Sequence, residues 1–219
     1  MLDGALGLLA PVLPRAAAAL GVPRTLTRGG GVALTFDDGP HPEGTPAVLE
    51  ILAAEGASAA FFLVGEQVAR RPGLAAEIAS AGHVVALHGY RHVLQLRLSS
   101  AAVRADLERG AAAIEDATGI TPAWHRPPYG IYSAAGLAAA RDAALKPLLW
   151  SRWGKDWRRL TTPARIAARA TEGVSSGDVI LLHDADFYSS HGSHRRTARA
   201  LPTVLSELRR RGLDTVLPV

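Results

Sequence analysis

Two hydrophobic periods alternate along this chain. Val32, Leu34 and Phe36 repeat every second residue, as one face of a strand does, and Gly39-Pro40 stops the run. Residues 45–55 then read as a helix, with Pro46 in its first turn and Gly56 just past its end. The pattern continues as a strand at 59–64, a helix at 66–81, a strand at 83–87 and a long helix at 100–118. That helix has Ser99 or Ser100 as its cap and Gly119 as its stop. A short strand at 124–126, a helix at 133–144, a strand at 147–150, a helix at 162–171, a strand at 178–182, a helix at 196–211 and a last strand at 215–219 complete the series. Strict alternation of strand and helix predicts an α/β fold with a mostly parallel sheet, and six or seven such units suit a barrel better than an open sheet. Nothing resembling a linker or repeat divides the chain, so a single domain is expected over 29–219, after an extension at 1–28.

That extension is apolar and rich in Ala and Leu. Its first charge is Asp3 and its first arginine is Arg15, after Pro11 and Pro14, so the basic start of a secretory signal is missing. The prolines and Arg15 also interrupt any span of the usual length of about 20 residues. The segment is read as an amphipathic piece packed on the barrel, with a membrane-surface anchor as the alternative, and the location as cytoplasmic. Within the 219 residues, 48% are hydrophobic, enough for a substantial core. With no cysteine, disulfides, thiolate metal sites and cysteine nucleophiles are excluded, and any metal must be held by His and carboxylates. The net charge of +4 comes almost wholly from Arg, since Lys146 and Lys155 are the only lysines. No basic block with interleaved aromatics accompanies it, which argues against a nucleic-acid partner.

The chemistry is expected at strand ends. Asp37 and Asp38 close the first strand, at the edge where α/β barrels carry their catalytic groups. An ordinary turn could use the same residues. His88 and His92, spaced four apart, would share a face if they sat on a helical turn. Together the two clusters offer one oxygen and two nitrogen ligands, with a second acid free to act as a base. Such a set with open positions is a catalytic metal arrangement for one divalent ion; zinc is the default, and cobalt, nickel or iron are also admitted.

Five motifs in order make the chain resemble the polysaccharide deacetylase family, the NodB-homology enzymes of carbohydrate esterase family 4. They are Thr35-Phe36-Asp37-Asp38-Gly39, His88-Gly89-Tyr90-Arg91-His92, Arg126-Pro127-Pro128-Tyr129-Gly130, Asp156-Trp157 and Leu181-Leu182-His183-Asp184. The resemblance implies a distorted (β/α)7-type barrel and a metal-dependent hydrolase that removes N-acetyl groups from amino sugars. By the same resemblance Asp37 is the general base and Asp38, His88 and His92 hold the metal. The backbone N–H of Tyr129 faces the oxyanion, His183 protonates the leaving amine, Arg126 holds Asp37 and Asp156 orients His183. Trp157 and Leu181 are expected in the substrate groove, whereas Trp150 is read as core.

Three departures stand out. Gly89 replaces the Ser or Thr whose hydroxyl usually steadies the second histidine loop, so that support must come from elsewhere or be missing. Ala60 stands where Thr is common, with little expected consequence. The stretch 186–194, carrying Asp186, Tyr188, His191 and His194, reads as an inserted loop beside His183, either solvated or a partial lid that sets specificity. Substrates are expected among chitooligosaccharides, peptidoglycan-type polymers and small glycoconjugates. Deacylation of a small metabolite or O-acetyl ester is the alternative, and a sugar-binding module without catalysis is a third reading.

Overall fold

The structure is a computed structural model that describes residues 2–27 and 30–218. The expected boundary between extension and domain, at residues 28 and 29, and the last residue of the expected closing strand, Val219, lie outside the described residues. Seven parallel strands form one curled sheet in the order β5-β4-β3-β2-β1-β7-β6. They are β1 (Gly31–Asp37), β2 (Ala60–Leu63), β3 (Val84–Leu87), β4 (Trp124–His125), β5 (Lys146–Pro147), β6 (Arg152–Trp153) and β7 (Val179–His183). A short β8 (Asp214–Thr215) pairs with the start of β1. Helices cover the outside: α3 (Gly44–Ala54), α4 (Gly65–Arg70), α5 (Pro72–Ser80), α6 (Ser100–Thr118), α7 (Ala134–Asp142), α8 (Pro163–Thr171) and α9 (Ser193–Arg210). This is the distorted (β/α)7 barrel, with its seam between β5 and β6.

The central strand is more deeply buried than simple alternation suggests. All seven residues of β1 are buried, because a parallel strand is covered on both faces. Phe36 stacks on Phe61, with ring centroids 5.1 Å apart, while Thr35 and Asp37 point to the opposite face, toward Arg126. Register then fixes the chemistry, since Asp37 lies opposite His183 on β7 and opposite Phe62 on β2.

Several expected boundaries move for physical reasons. The single helix expected over 66–81 is two, α4 and α5, broken at Arg71 (φ −142°, ψ 58°). Pro72 causes this, because it lacks an N–H and disfavours a helical residue before it. The strand expected at 147–150 shortens to Lys146–Pro147, and the chain pairs again only at Arg152–Trp153. By contrast α6 keeps its expected limits. Ser99 Oγ accepts the Ala102 amide at 3.2 Å, and Gly119 ends the helix at φ +69°.

The N-terminal extension packs on the barrel through α1 (Leu2–Leu9) and α2 (Pro14–Ala19), with Ala10, Ala16, Ala17 and Val22 buried. It lies along the seam. The Pro23 carbonyl accepts the Leu149 amide at 2.9 Å, and Arg24 Nε donates to the Trp150 carbonyl at 2.7 Å. Pro11 sits beside Gly130. Leu8, Leu9, Val12 and Leu13 remain exposed. Among the described residues no helix is long and apolar enough to cross a membrane.

Candidate active site and metal centre

Asp37 and Asp38 open onto one cleft because the backbone turns sharply between them. Adjacent strand residues point to opposite faces, but Asp38 leaves the strand at φ +79°, a conformation that Asp tolerates better than most residues. The cleft of about 270 Å³ is lined by both carboxylates, His88, His92, Tyr129, Trp150, Trp153, Trp157, Leu181, His183 and Tyr188. It sits at the C-terminal edge of the sheet.

One side is a carboxylate and an imidazole, Asp37 and His183, each held by a buried partner. Asp37 Oδ1 accepts from Arg126 Nη1 at 2.6 Å. Arg126 is fully buried, and its remaining N–H groups reach Thr35 Oγ1 and the carbonyls of Leu148 and Leu149 at 2.9–3.1 Å, with the guanidinium 3.9 Å from the centre of the Phe62 ring. Burial lowers the affinity of Arg126 for its proton, and the carboxylate of Asp37 works to restore it. Across the strand pair, Asp156 Oδ1 lies 2.9 Å from His183 Nδ1, and Asp156 Oδ2 accepts the His183 amide and the Thr197 hydroxyl at 2.7 Å each. Burial works to lower the proton affinity of His183, but the charge and hydrogen bond of Asp156, with Asp38 and Asp37 beyond, push its pKa up to about 10.

The other side is a cluster of one carboxylate and two imidazoles. Asp38 Oδ1 lies 3.4 Å from His88 Nε2 and 3.2 Å from His92 Nε2. Burial raises the Asp38 carboxyl, but the two imidazoles and His183 outweigh it and hold the group well below the usual carboxylate range. His88 Nδ1 lies 2.7 Å from the Arg126 carbonyl, so that nitrogen carries the proton and Nε2 presents its lone pair to the cleft. Asp38 Oδ1 and His92 Nδ1 are buried without a hydrogen-bond partner. Lone pairs facing a buried carboxylate call for a cation between them. The spacing suits one, because ligands about 2.0–2.1 Å from a tetrahedral ion stand about 3.3 Å apart. The set of Asp38, His88 and His92 therefore fits a divalent metal.

The histidine pair reaches this geometry without a helix. Residues 88–92 form an irregular loop after β3, which corrects the helical-turn reading of the spacing. Tyr129 is half exposed, held at φ +62°, with its ring 4.7 Å from that of His92. Leu181 is buried in the wall, and Trp157 stands edge-on to His183. Trp150 is both core and cleft lining, and Trp153 links it to Trp157 through ring contacts of 5.8 and 5.6 Å. Trp153 and Thr197 border the site and were missed by sequence reasoning, and Thr35 was named only as part of its motif, without a role. Trp153 lies on a strand that was not expected, and Thr197 acts through a hydroxyl that no local pattern distinguishes.

The stretch 186–194 is not wholly a loop, because α9 begins at Ser193, three residues earlier than expected, and its residues range from buried to exposed. Tyr188 stacks face to face on His92 at 4.1 Å, donates to Glu66 at 2.7 Å and accepts from Gln67 at 3.0 Å. Burial raises the Tyr188 phenol above its ordinary range. His194 is buried, whereas His191 is fully exposed. His41, Asp186 and His194 form a second cluster, with His41 Nε2 at 3.2 Å from Asp186 Oδ1 and His194 Nδ1 at 3.2 Å from Asp186 Oδ2. His41 Nδ1 accepts the amides of Glu43 and Gly44, so Nε2 carries the proton and donates to Asp186. That tautomer leaves no lone pair for a metal at Nε2, and Asp186, which also accepts the Gly192 amide at 2.7 Å, ties the loop to the two imidazoles by close polar contacts.

The family model described as polysaccharide deacetylase matches residues 26–148. The chain belongs to the polysaccharide deacetylase family. Among its relatives, a chitooligosaccharide deacetylase of Sinorhizobium fredii is 36% identical over 201 residues, covering 87% of this chain and 91% of the relative. A peptidoglycan-N-acetylglucosamine deacetylase of Listeria monocytogenes is 32% identical over 84% of this chain, which spans only 37% of that longer protein. A family 4 carbohydrate esterase from Streptomyces lividans, solved in complex with acetate, superposes with a TM-score of 0.77 at 30% identity, covering 86% of this chain and 93% of its own. An acetyl xylan esterase from Clostridium thermocellum, solved with a cobalt ion, gives 0.75 at 29% identity, with 85% and 87% covered.

Proposed function

We propose that this chain is a metal-dependent hydrolase that removes N-acetyl groups from amino sugars. The observation that carries this reading is the pairing of Asp37 with His183 in the strand register, beside the set of Asp38, His88 and His92. Asp38, His88 and His92 would hold the ion, with zinc favoured by a His/carboxylate donor set. A bound divalent ion lowers the pKa of water and polarises the amide carbonyl. Asp37, fixed by Arg126, takes the proton of the attacking water. Its carboxylate suits that work because the buried guanidinium holds it in one orientation without making it a metal ligand. His183, kept protonated by Asp156, delivers a proton to the leaving nitrogen, which departs poorly as an amide anion. The Tyr129 backbone at the rim supports the developing oxyanion, and Leu181 with Trp157 encloses the acyl group.

The relatives' substrates point to N-acetylglucosamine units in a chitooligosaccharide or peptidoglycan. The stacked Tyr188 on one wall of the cleft favours a short or terminal substrate over a long polymer lying across the rim. Residues 1–28 then serve as an extension that completes the barrel of the catalytic domain, 29–219. The test is acetate release from chitooligosaccharides, peptidoglycan fragments, acetylated xylan and small acetylated amines, with added zinc or cobalt and with chelator. Release from the amino-sugar substrates that chelator abolishes and zinc restores is expected. Release from acetylated xylan alone would move the assignment to an O-acetyl esterase, and no release from any of them would leave a sugar-binding module.

A further inference from the structure

The loop between the two metal-site histidines lacks the family's usual hydroxyl, and the fold shows what stands in its place. Gly89 adopts φ +85°, a conformation that a residue with a Cβ rarely takes. A Cβ there would lie 3.1 Å from Asp106 Oδ2 and 3.2 Å from the Arg91 carbonyl, so a serine or threonine would be both strained and crowded. The carboxylate of Asp106, on α6, occupies the neighbourhood instead. Its Oδ2 accepts the Tyr90 amide at 2.8 Å and lies at the long limit of 3.5 Å from the Arg91 amide, and its Oδ1 takes Arg91 Nε at 3.2 Å.

The loop is gripped from the other side too. The first amides of α4 supply the bonds, Gly65 to the Gly89 carbonyl at 2.9 Å and Glu66 to the Tyr90 carbonyl at 2.8 Å. The backbone groups between the histidines are thus held between the α4 N-terminus and one carboxylate. One turn beyond Asp106, α6 approaches closely enough that a Cβ on Gly110 would lie 3.0 Å from the Tyr90 nitrogen, and Arg109 lies 3.7 Å over the Tyr90 ring.

The two histidines depend on this loop unequally. His88 is aimed by its own ring, through Nδ1 and the Arg126 carbonyl. His92 has no such bond at Nδ1, so its direction comes from the loop backbone and from the Tyr188 stack. We propose that Asp106 is a positioning residue of the metal centre, aiming His92 through the amides of residues 90 and 91. The inference rests on the metal-binding reading above.

The test measures zinc affinity of the full, untagged chain by competition with a chromophoric chelator, alongside the melting temperature of the metal-free protein. Asp106→Ala should weaken zinc binding by about 10- to 100-fold, the usual effect of removing a group behind a ligand. In a His92→Ala background the same substitution should change affinity no further, because the ligand it acts through is gone. A role confined to fold stability would lower the melting temperature while leaving the affinity of the folded protein unchanged, and that result overturns the proposal. An equal loss in both backgrounds overturns it too. Should Asp106→Ala fail to fold, Asp106→Leu fills a similar volume while offering no acceptor to either amide. Zinc binding weaker by about 10-fold or more is then expected, and unchanged affinity overturns the proposal. Wild-type protein that binds no zinc would refute the metal reading itself.

Discussion

The two halves of the cleft are built on opposite principles. On the side of Asp37 and His183, Asp37 and Asp156 have buried partners, and Arg126 spends its donors on Asp37, Thr35 and two carbonyls. On the side of Asp38, His88 and His92, Asp38 Oδ1 faces both imidazoles and is buried with no hydrogen bond. Unsatisfied buried polar atoms cost about 1–3 kcal/mol each, so the contrast is not indifferent to the fold. A half that is complete keeps its geometry unaided, whereas a half that is incomplete gains stability from what it binds.

The sharpest way to break this contrast is to exchange the fates of neighbouring carboxylates. Asp37→Asn should lower turnover by about 10²–10⁴-fold, the range for losing a general base, while zinc still binds, as read by metal analysis after dialysis. Asp38→Asn should lose the metal. Normal turnover in the Asp37 variant would remove that residue from the base role. Next in size, Arg126→Ala should destabilise the fold by roughly 3–5 kcal/mol, because it leaves a buried carboxylate unpaired. Chemical denaturation measures this, and a change below about 1 kcal/mol would show that water replaces the guanidinium at no cost.

His183→Ala should reduce turnover strongly on N-acetyl substrates and less on aryl acetates, whose leaving groups need no proton; equal losses on both would count against an acid role. The pH profile sharpens the same point. The pKa of His183 is raised to about 10 by Asp156, so the acid form is present below that value and lost as pH rises through it. Asp156→Asn removes the largest favourable charge, and the alkaline limb of turnover should therefore move to lower pH. A bound cation opposes the contribution of Asp38 and moves the limb in the same direction. The smallest effect is expected from Tyr188→Ala, which should shift preference toward longer oligosaccharides with only a minor change in zinc affinity. A lost metal would show that the stack on His92, rather than the loop backbone, holds that ligand.

Much of this contrast was legible along the chain. The strand ends carrying Asp37, Asp38, His88 and His183 followed from hydrophobic runs, and the first of them also from its Gly39-Pro40 stop, all of which are local. The ends that were misplaced lie where tertiary pairing overrides local pattern. Two-residue strands such as Arg152–Trp153 bury too little apolar sequence to show a period. The start of α9 was hidden because Ser193 and His194 are polar yet buried against the loop. The Asp106 contact was illegible for a different reason. A helix carboxylate accepts from a backbone amide sixteen residues earlier, and nothing in a sequence marks the donating amide.

The extension lies in the gap between β5 and β6, where Arg24 and Pro23 bond to the backbone at Leu149 and Trp150. Trp150 is also part of the cleft wall. The extension thus braces the back of that wall through the main chain, and a chain cut back to the first strand is expected to lose these two bonds and hold Trp150 less firmly.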